Sequence, residues 1–129
     1  MTKHDPAPDT VYQVLIANLV ADLRTRQAGA TAPRTGERFP EFILPDASGV
    51  FRELSQLLRD GPIVLSFLRG QWCPYCQEEL GAWQRALPAL ERAGGRLIFV
   101  AASTGGAAMA IRNSVSPKVE VLCDVDHGL

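Results

Sequence analysis

The sequence predicts an α/β fold in which two buried strands run parallel and are joined by a long helix. Two short apolar runs, Pro62–Leu68 and Arg96–Ala101, are typical of strands that are buried within a fold. Between them, apolar residues recur at helical spacing from Leu80 to Leu90. A strand, a helix and a second strand in this order indicate a parallel pair with a right-handed crossover.

Length and composition indicate one soluble globular domain. A chain of 129 residues is long enough to bury roughly two thirds of its unfolded surface. An apolar content of 47% and a charged content of 21% are ordinary for such proteins. The net charge is −1 and no basic run is present, so neither nucleic acid nor a membrane surface is expected as a partner.

Several features favour a cytoplasmic location. The polar, proline-containing start Met1–Asp9 does not resemble a signal peptide. No apolar stretch approaches the roughly 20 residues that a membrane-spanning helix needs. Three cysteines are few and odd in number, which argues against a secreted disulfide framework. In a reducing compartment, two closely spaced cysteines more often have a catalytic or metal-binding role.

An N-terminal helix precedes the domain. Asp9 or Thr10 can cap it, and Gly29 is a natural end for it. Its apolar positions follow helical spacing: Tyr12, Leu15, Ile16, Leu19 and Leu23. A linker begins at Ala30. We therefore expect a helical extension with its linker over residues 1–34 and the core domain over residues 35–129.

The domain is predicted to open with a β-hairpin. Phe39–Leu44 forms its first strand, Pro45–Gly49 has turn chemistry, and Val50–Arg52 returns as the partner strand. One or two helical turns over Leu54–Leu58 follow, and Asp60–Pro62 leads into the first buried strand.

The second half of the domain continues the α/β alternation. The long helix is expected to kink at Pro88, which cannot donate a hydrogen bond, and to end at Gly94. A shorter helix over Gly106–Asn113 and a strand over Val119–Cys123 complete the predicted elements.

A cysteine pair lies at the predicted junction between the first buried strand and the long helix. Cys73 and Cys76 are one helical turn apart, within the Cα distance that a disulfide tolerates. The free N–H groups of a first helical turn lower the pKa of a thiol there. Pro74 at the helix start and Trp72 beside it strengthen the interpretation as a redox site.

Other interpretations of these residues remain open. The two thiols could be packed core groups, or half of a zinc site for which only Cys123 and His127 are left as ligands. Arg69 either stabilises a thiolate at the mouth of the loop or is a solvated charge. Cys123 is expected to be an inert core thiol, because it ends an apolar strand.

Two segments resemble the alkyl hydroperoxide reductase and thiol-specific antioxidant family, whose members are peroxiredoxin-like. Gly36–Gly49 is similar to the opening hairpin of that family, and Val64–Gly81 to its active-site strand, loop and helix. The resemblance extends over roughly residues 35–126. It implies a thioredoxin-like fold of three layers with a central mixed sheet.

The chain departs from the usual motif of this family, Pro-x-x-x-Thr-x-x-Cys. Cys76 falls at the peroxidatic cysteine, but Cys73 replaces the threonine and Arg69 replaces the proline. The chain instead carries a Cys-x-x-Cys pair like that of thioredoxin and glutaredoxin. The family normally continues past the turn at Asp124–Gly128 into further strands, so the domain is expected to be short at its C-terminus. The open sheet edge expected there favours a homodimer.

The resemblance implies a thiol-dependent antioxidant oxidoreductase that reduces hydroperoxides or disulfides. A thioredoxin-like protein or a small thiol would be its reductant, and neither a metal nor an organic cofactor is expected. Two mechanisms compete: Cys73 is an exposed thiolate that attacks disulfides, or Cys76 attacks peroxide and condenses with Cys73. The alternative is a protein that is not an enzyme: a truncated scaffold that dimerises.

Overall fold

A computed structural model describes residues 10–129, which belong to two compact units that divide between Phe39 and Pro40. In the first unit, helix α1 extends over Thr10–Thr25, and its apolar side chains are exposed. The predicted helix is present but ends before Gly29, and the alternative cap Asp9 lies outside the described residues. The domain boundary after residue 34 remains a prediction. No helix within residues 10–129 is both long and apolar enough to cross a membrane.

The second unit begins with an antiparallel hairpin. Strand β1 (Ile43–Pro45) pairs with β2 (Phe51–Glu53), and Leu44 lies opposite Arg52. Helix α2 (Leu54–Leu57) and a 3-10 turn (Leu58–Asp60) follow directly. The hairpin is therefore present, but its first strand is shorter than the predicted Phe39–Leu44.

A parallel sheet forms the centre of the second unit. Its strands are β3 (Ile63–Leu68), β4 (Arg96–Ala101) and β5 (Glu120–Cys123), in the spatial order β3-β4-β5. Helix α3 (Pro74–Arg92) connects β3 to β4, and helix α4 (Gly105–Val115) connects β4 to β5. The predicted α/β class is confirmed.

The antiparallel hairpin is joined to this sheet by one bridge, between Asp46 and Leu122. The three strands of the central sheet are themselves all parallel. The antiparallel part of the expected mixed sheet thus comes from the hairpin alone, within the residues that the structure describes.

The core lies between the sheet and helices α3 and α4. Alternate residues of the strands face these helices, and Phe99 at the middle of β4 is fully buried. Both faces of β4 are buried from Leu97 to Ala101, as the continuous apolar run predicts. Helices contribute Cys76, Leu80, Leu87, Ala108 and Ile111 to the same cluster. The cysteine pair is therefore built into the core at one end of the sheet.

Candidate functional site

The site begins where β3 ends. A four-residue loop, Arg69–Trp72, leads from β3 to Cys73, which is the N-cap residue of α3, and Pro74 occupies the first helical position. Proline is favourable there because its φ angle suits a helix and no intrahelical bond is lost. The structure thus places the cysteines at a strand-to-helix junction, as the sequence predicts.

Gly70 gives the loop between β3 and α3 a backbone conformation that residues with a side chain rarely adopt. Its φ angle is +155°, and a Cβ atom built there would lie 2.4 Å from the indole Nε1 of Trp72. A side chain at this position would displace the indole ring. The guanidinium carbon of Arg69 lies 4.8 Å from the centre of that ring, which is a cation–π arrangement.

Arg69 contacts both sulfurs. Its main-chain N–H donates a hydrogen bond to the Sγ of Cys76 at 3.2 Å. Its side-chain Nη1 lies 3.7 Å from the Sγ of Cys73. One residue therefore provides a donor to each member of the pair. This position favours the thiolate-stabilising interpretation of Arg69 over that of an isolated solvated charge.

The first turn of α3 lowers the pKa of Cys73. The main-chain N–H of Cys76 lowers the pKa of Cys73, and burial of the thiol only partly opposes this effect. The Cys76 thiol, the N–H of Tyr75 and the charge of Arg69 lower that pKa further. These donors favour a thiolate at Cys73 with Cys76 beside it as a hydrogen-bond donor.

Cys73 is not the exposed thiol that the disulfide-exchange mechanism predicts. Only 1% of the residue is accessible to solvent, and Cys76 is 7% accessible. That expectation is wrong because Cys73 belongs to the packed core cluster, a tertiary effect that the motif does not show. Trp72 and Tyr75, by contrast, are 67% and 78% exposed, so the residues around the pair present an aromatic surface.

Glu79 is a residue of the site that sequence reasoning did not place. Its Oε1 accepts hydrogen bonds from the Oγ of Ser66 at 3.2 Å and from the Nε1 of Trp83 at 3.0 Å. The bond from Ser66 joins α3 to β3 about one turn beyond Cys76, whereas the bond from Trp83 lies within α3. A signal was available, because Ser66 is the polar residue in the otherwise apolar strand β3 and is buried.

The third cysteine lies elsewhere in the core. Burial raises the pKa of Cys123, and the negative charge of Asp46 raises it further, so its thiolate is disfavoured. His127 is exposed. Residues 10–129 contain no group of three or more His, Cys, Asp or Glu side chains that could hold a metal ion. The structure thus offers no support for the zinc interpretation.

These features define a class of protein: an α/β domain with two thiols at the amino end of the helix that follows a central strand. The family model described as the AhpC/TSA family matches residues 35–129, and the chain belongs to this family. The resemblance stated from the two sequence segments is thereby confirmed.

Known relatives and solved structures agree with this assignment. Proteins named as peroxiredoxins in two strains of Mycobacterium tuberculosis are 46% identical over 46 residues, which is 36% of this chain and 30% of each relative. Peroxidoxin BcpB of M. tuberculosis has a TM-score of 0.66 at 24% identity, with 74% of this chain and 62% of that chain covered. Peroxiredoxin 6 of Arenicola marina has a TM-score of 0.66 at 18% identity, with coverage of 76% and 48%.

These structural likenesses confirm the thioredoxin-like fold. The match to the curated relatives spans less than a third of their length, and this chain spans less than two thirds of the BcpB chain.

Proposed function

We propose that this protein is a peroxiredoxin-like thiol oxidoreductase that reduces hydroperoxides through Cys73 and Cys76. The observation that carries the proposal is the shared set of donors at the start of α3. Arg69 lies within 3.2 Å of one sulfur through its main chain and 3.7 Å of the other through its side chain. Such donors stabilise a thiolate, which is the reactive form of cysteine.

The donors around Cys73 support this residue as the attacking sulfur. Its thiolate attacks the terminal oxygen of the hydroperoxide, so that an S–O bond forms while the O–O bond breaks. The departing alkoxide takes up a proton from solvent and leaves as an alcohol, or as water when hydrogen peroxide is the substrate. Cys73 is then a sulfenic acid. This order departs from the family resemblance, which aligns Cys76 with the attacking residue.

Cys76 completes the oxidative half of the cycle. Its sulfur attacks the sulfenic sulfur of Cys73, an S–S bond forms, and hydroxide leaves with the thiol proton as water. A dithiol reductant then supplies two electrons and returns both residues to thiols. A thioredoxin-like protein or a low-molecular-weight thiol fits this step, and none of the steps uses a metal or an organic cofactor.

Access to Cys73 requires a local movement. The sulfur is nearly fully buried, whereas the neighbouring side chains of Arg69 and Trp72 lie at the surface. Displacing these two side chains would open a path without disturbing the sheet. We place Trp72 as a residue that shields the site and Pro74 as one that sets the helix start.

Disulfide exchange without peroxide turnover is the second candidate. It is favoured by one observation: the first cysteine of the Cys-x-x-Cys pair has the lowered pKa. Attack of the Cys73 thiolate on a disulfide sulfur would form a mixed disulfide and release a thiolate, and Cys76 would then resolve it. The same residues serve both reactions, so the substrate decides between them.

Activity assays on single substitutions test this proposal. Reduced protein is mixed with hydrogen peroxide and dithiothreitol, and separately with an insulin disulfide substrate. Cys73→Ser is expected to abolish peroxide consumption. Cys76→Ser, treated with one equivalent of peroxide after the dithiothreitol has been removed, is expected to accumulate sulfenic acid on Cys73. Cys123→Ser is the matched control and should keep at least about half of the activity, because its thiol is unactivated.

Each outcome of these assays leads to a different conclusion. Sulfenic acid on Cys76 in the Cys73→Ser variant would reverse the assigned roles. Insulin reduction without peroxide turnover would establish the exchange reaction. No activity of either kind, with thiols as slow as free cysteine, would favour the non-catalytic scaffold.

Two further expectations belong to the same proposal. A cytoplasmic location is supported by the need of this dithiol for a reducing environment. A homodimer is proposed because β3 lies at an edge of the central sheet in the described residues, and native mass spectrometry distinguishes a dimer from a monomer. A monomer that retains peroxidase activity would remove the dimer from the proposal and leave the chemistry intact.

A further inference from the structure

A polar pocket lies far along the sheet from the cysteine pair. It has a volume of about 220 Å³ and is found at the amino end of β5, whereas the cysteines follow the carboxyl end of the parallel strand β3. The β1–β2 turn, strand β2, the end of α4 and the loop before β5 form its wall. Its charged lining residues are Asp46, Arg52, Arg112, Lys118 and Glu120.

The acidic residues of this pocket are already paired. Arg52 binds Asp46, with its Nε and its Nη2 each 3.1 Å from the Oδ2 of the carboxylate. Glu120 receives a hydrogen bond from the Nη2 of Arg96 at 3.0 Å. Arg112 and Lys118 have no carboxylate partner in the described part of the chain. The pocket therefore carries a surplus of positive charge.

Two unsatisfied polar atoms belong to residues of this same pocket. The Nε of Arg112 and the Oε2 of Glu120 are the buried side-chain N and O atoms without a hydrogen-bond partner within residues 10–129. The Glu120 oxygen is 3.8 Å from the Nε of Arg52, close enough for electrostatic attraction but too far for a hydrogen bond. A buried donor and a buried acceptor are both costly when left unpaired.

We propose that this pocket binds a small oxyanion that also carries a hydroxyl group, and that its ligand belongs to the phosphate class. The guanidinium of Arg112 and the ammonium of Lys118 would contact the charged oxygens. The P–OH group of hydrogen phosphate would donate to the Oε2 of Glu120. The pocket has room for such an ion with bound water, since one liquid water occupies about 30 Å³.

The proposal predicts discrimination between anions of similar size. Sulfate carries two charges at neutral pH but no proton, so it would place an acceptor against the Glu120 carboxylate. Methyl phosphate near pH 8 has also lost its hydroxyl proton, because the second pKa of a phosphate monoester is about 6. We therefore expect free hydrogen phosphate to bind more tightly than either, which also separates inorganic phosphate from a monoester as the ligand.

Isothermal titration of the whole chain with sodium phosphate at low ionic strength tests the site. We expect saturable binding of one phosphate that Arg112→Gln weakens by at least about tenfold, because a charge-assisted bond is lost. Lys118→Gln should weaken it by only about two- to threefold, since Lys118 is exposed. Arg59→Gln removes an exposed charge outside the pocket and should leave binding unchanged.

A second variant keeps the test decisive if Arg112→Gln does not fold by circular dichroism. Arg112→Lys retains the charge without the planar guanidinium and should also bind phosphate more weakly than the wild type. Equal phosphate affinity of the wild type and the folded Arg112 variant would overturn the proposal, as would equal affinity for sulfate and phosphate. Thiol activity is measured in parallel, and its loss or retention does not bear on the phosphate titration.

Discussion

Arg69 is the residue that contacts both sulfurs of the site. Its main-chain N–H serves Cys76, while its guanidinium lies near Cys73 and beneath the ring of Trp72. A substitution removes the guanidinium but leaves the main-chain donor in place. The two contributions of this residue are therefore separable by experiment.

Replacing Arg69 with Gln should raise the pKa of Cys73. Main-chain and thiol donors from Cys76 and Tyr75 remain, but the positive charge that favours the thiolate is lost. Because Arg69 is exposed, we expect alkylation of Cys73 near neutral pH to slow by only about two- to fivefold. Iodoacetamide labelling of the Cys73 peptide, followed by mass spectrometry across a pH series, measures this change.

The change in the pKa of Cys73 is read from the midpoint of the alkylation rate plotted against pH, not from the plateau rate at high pH. Removing the guanidinium also uncovers the sulfur and can raise the plateau rate. Arg59→Gln, an exposed charge on the 3-10 turn, is the control and should give the wild-type midpoint. A midpoint that does not move in Arg69→Gln would show that the helix start alone activates Cys73.

For the individual residues of the site, the sequence predicted that the two cysteines lie close together, but it did not predict that Cys73 is buried. Cys73 and Cys76 had to be close because helix geometry fixes residues three apart on one turn. The contact between Glu79 and Ser66 could not be predicted in the same way, since Ser66 is 13 positions away. The burial of Cys73 was not predictable from the motif, because Cys73 belongs to a core cluster that includes residues of β4 and β5 from distant parts of the chain.

Helix α3 continues through a proline. Pro88 lies inside α3, where it has no N–H to donate to the carbonyl of Gln84. The proline ring is exposed, while the adjacent Leu87 is 7% accessible and packs in the core. The helix is therefore held together across this position by the burial of its apolar face.

Replacing Pro88 with Ala should stabilise the protein. Alanine restores a main-chain hydrogen bond and removes the clash of the ring, and interior proline costs about 3 kcal/mol relative to alanine. Because the surrounding core is already adapted to the proline, we expect a gain of about 1–2 kcal/mol in the free energy of unfolding. Urea denaturation followed by circular dichroism measures it.

Pro117→Ala is a suitable comparison, because Pro117 lies in the exposed loop before β5. That substitution should be neutral or cost up to about 1 kcal/mol, since proline restricts the unfolded chain. Destabilisation by Pro88→Ala would mean that the packing of Leu87 depends on the backbone geometry that the proline imposes.

Elements with strong patterns were predicted well, and the hairpin less so. Strand β4 has the predicted bounds, because Gly94 and Gly95 precede its apolar run and Ser103 follows it within two residues. Strand β1 was predicted too long and too early. The partner β2 offers only three residues before α2 begins at Leu54, so the stretch before Ile43 has no strand to pair with.

A chain of charged residues joins the hairpin to the central sheet. Arg52 on β2 binds Asp46, Glu120 at the start of β5 lies 3.8 Å from Arg52, and Arg96 on β4 binds Glu120. Such partners lie up to 68 positions apart in the chain (Arg52 to Glu120), so spacing rules cannot predict them. The architecture of the whole domain was predictable from local patterns, but this network arises only from the topology.

Asp46 is the buried member of this network, with 9% of its side chain accessible. Burial alone would raise the pKa of Asp46, but hydrogen bonds from the N–H groups of Val50 and Ser48 and the charge of Arg52 lower it overall. A carboxyl group with a lowered pKa in the folded state stabilises the protein above the pKa of the unfolded chain, which is about 4. This contribution is lost as the pH falls through the folded-state pKa.

Asp46→Asn should therefore destabilise the protein by about 1–2 kcal/mol at neutral pH, since charge-assisted bonds become neutral ones. The difference from the wild type should shrink as the pH falls from about 4 through the lowered folded-state pKa of Asp46, because the wild-type carboxyl group then becomes neutral. Urea denaturation at a series of pH values measures both effects. Asp60→Asn is the control: its side chain is 77% exposed, so its ion pair with Arg96 should contribute less than about 0.5 kcal/mol. A stability difference for Asp46→Asn that is constant down to acidic pH would show that shape, rather than charge, anchors the hairpin turn to the sheet.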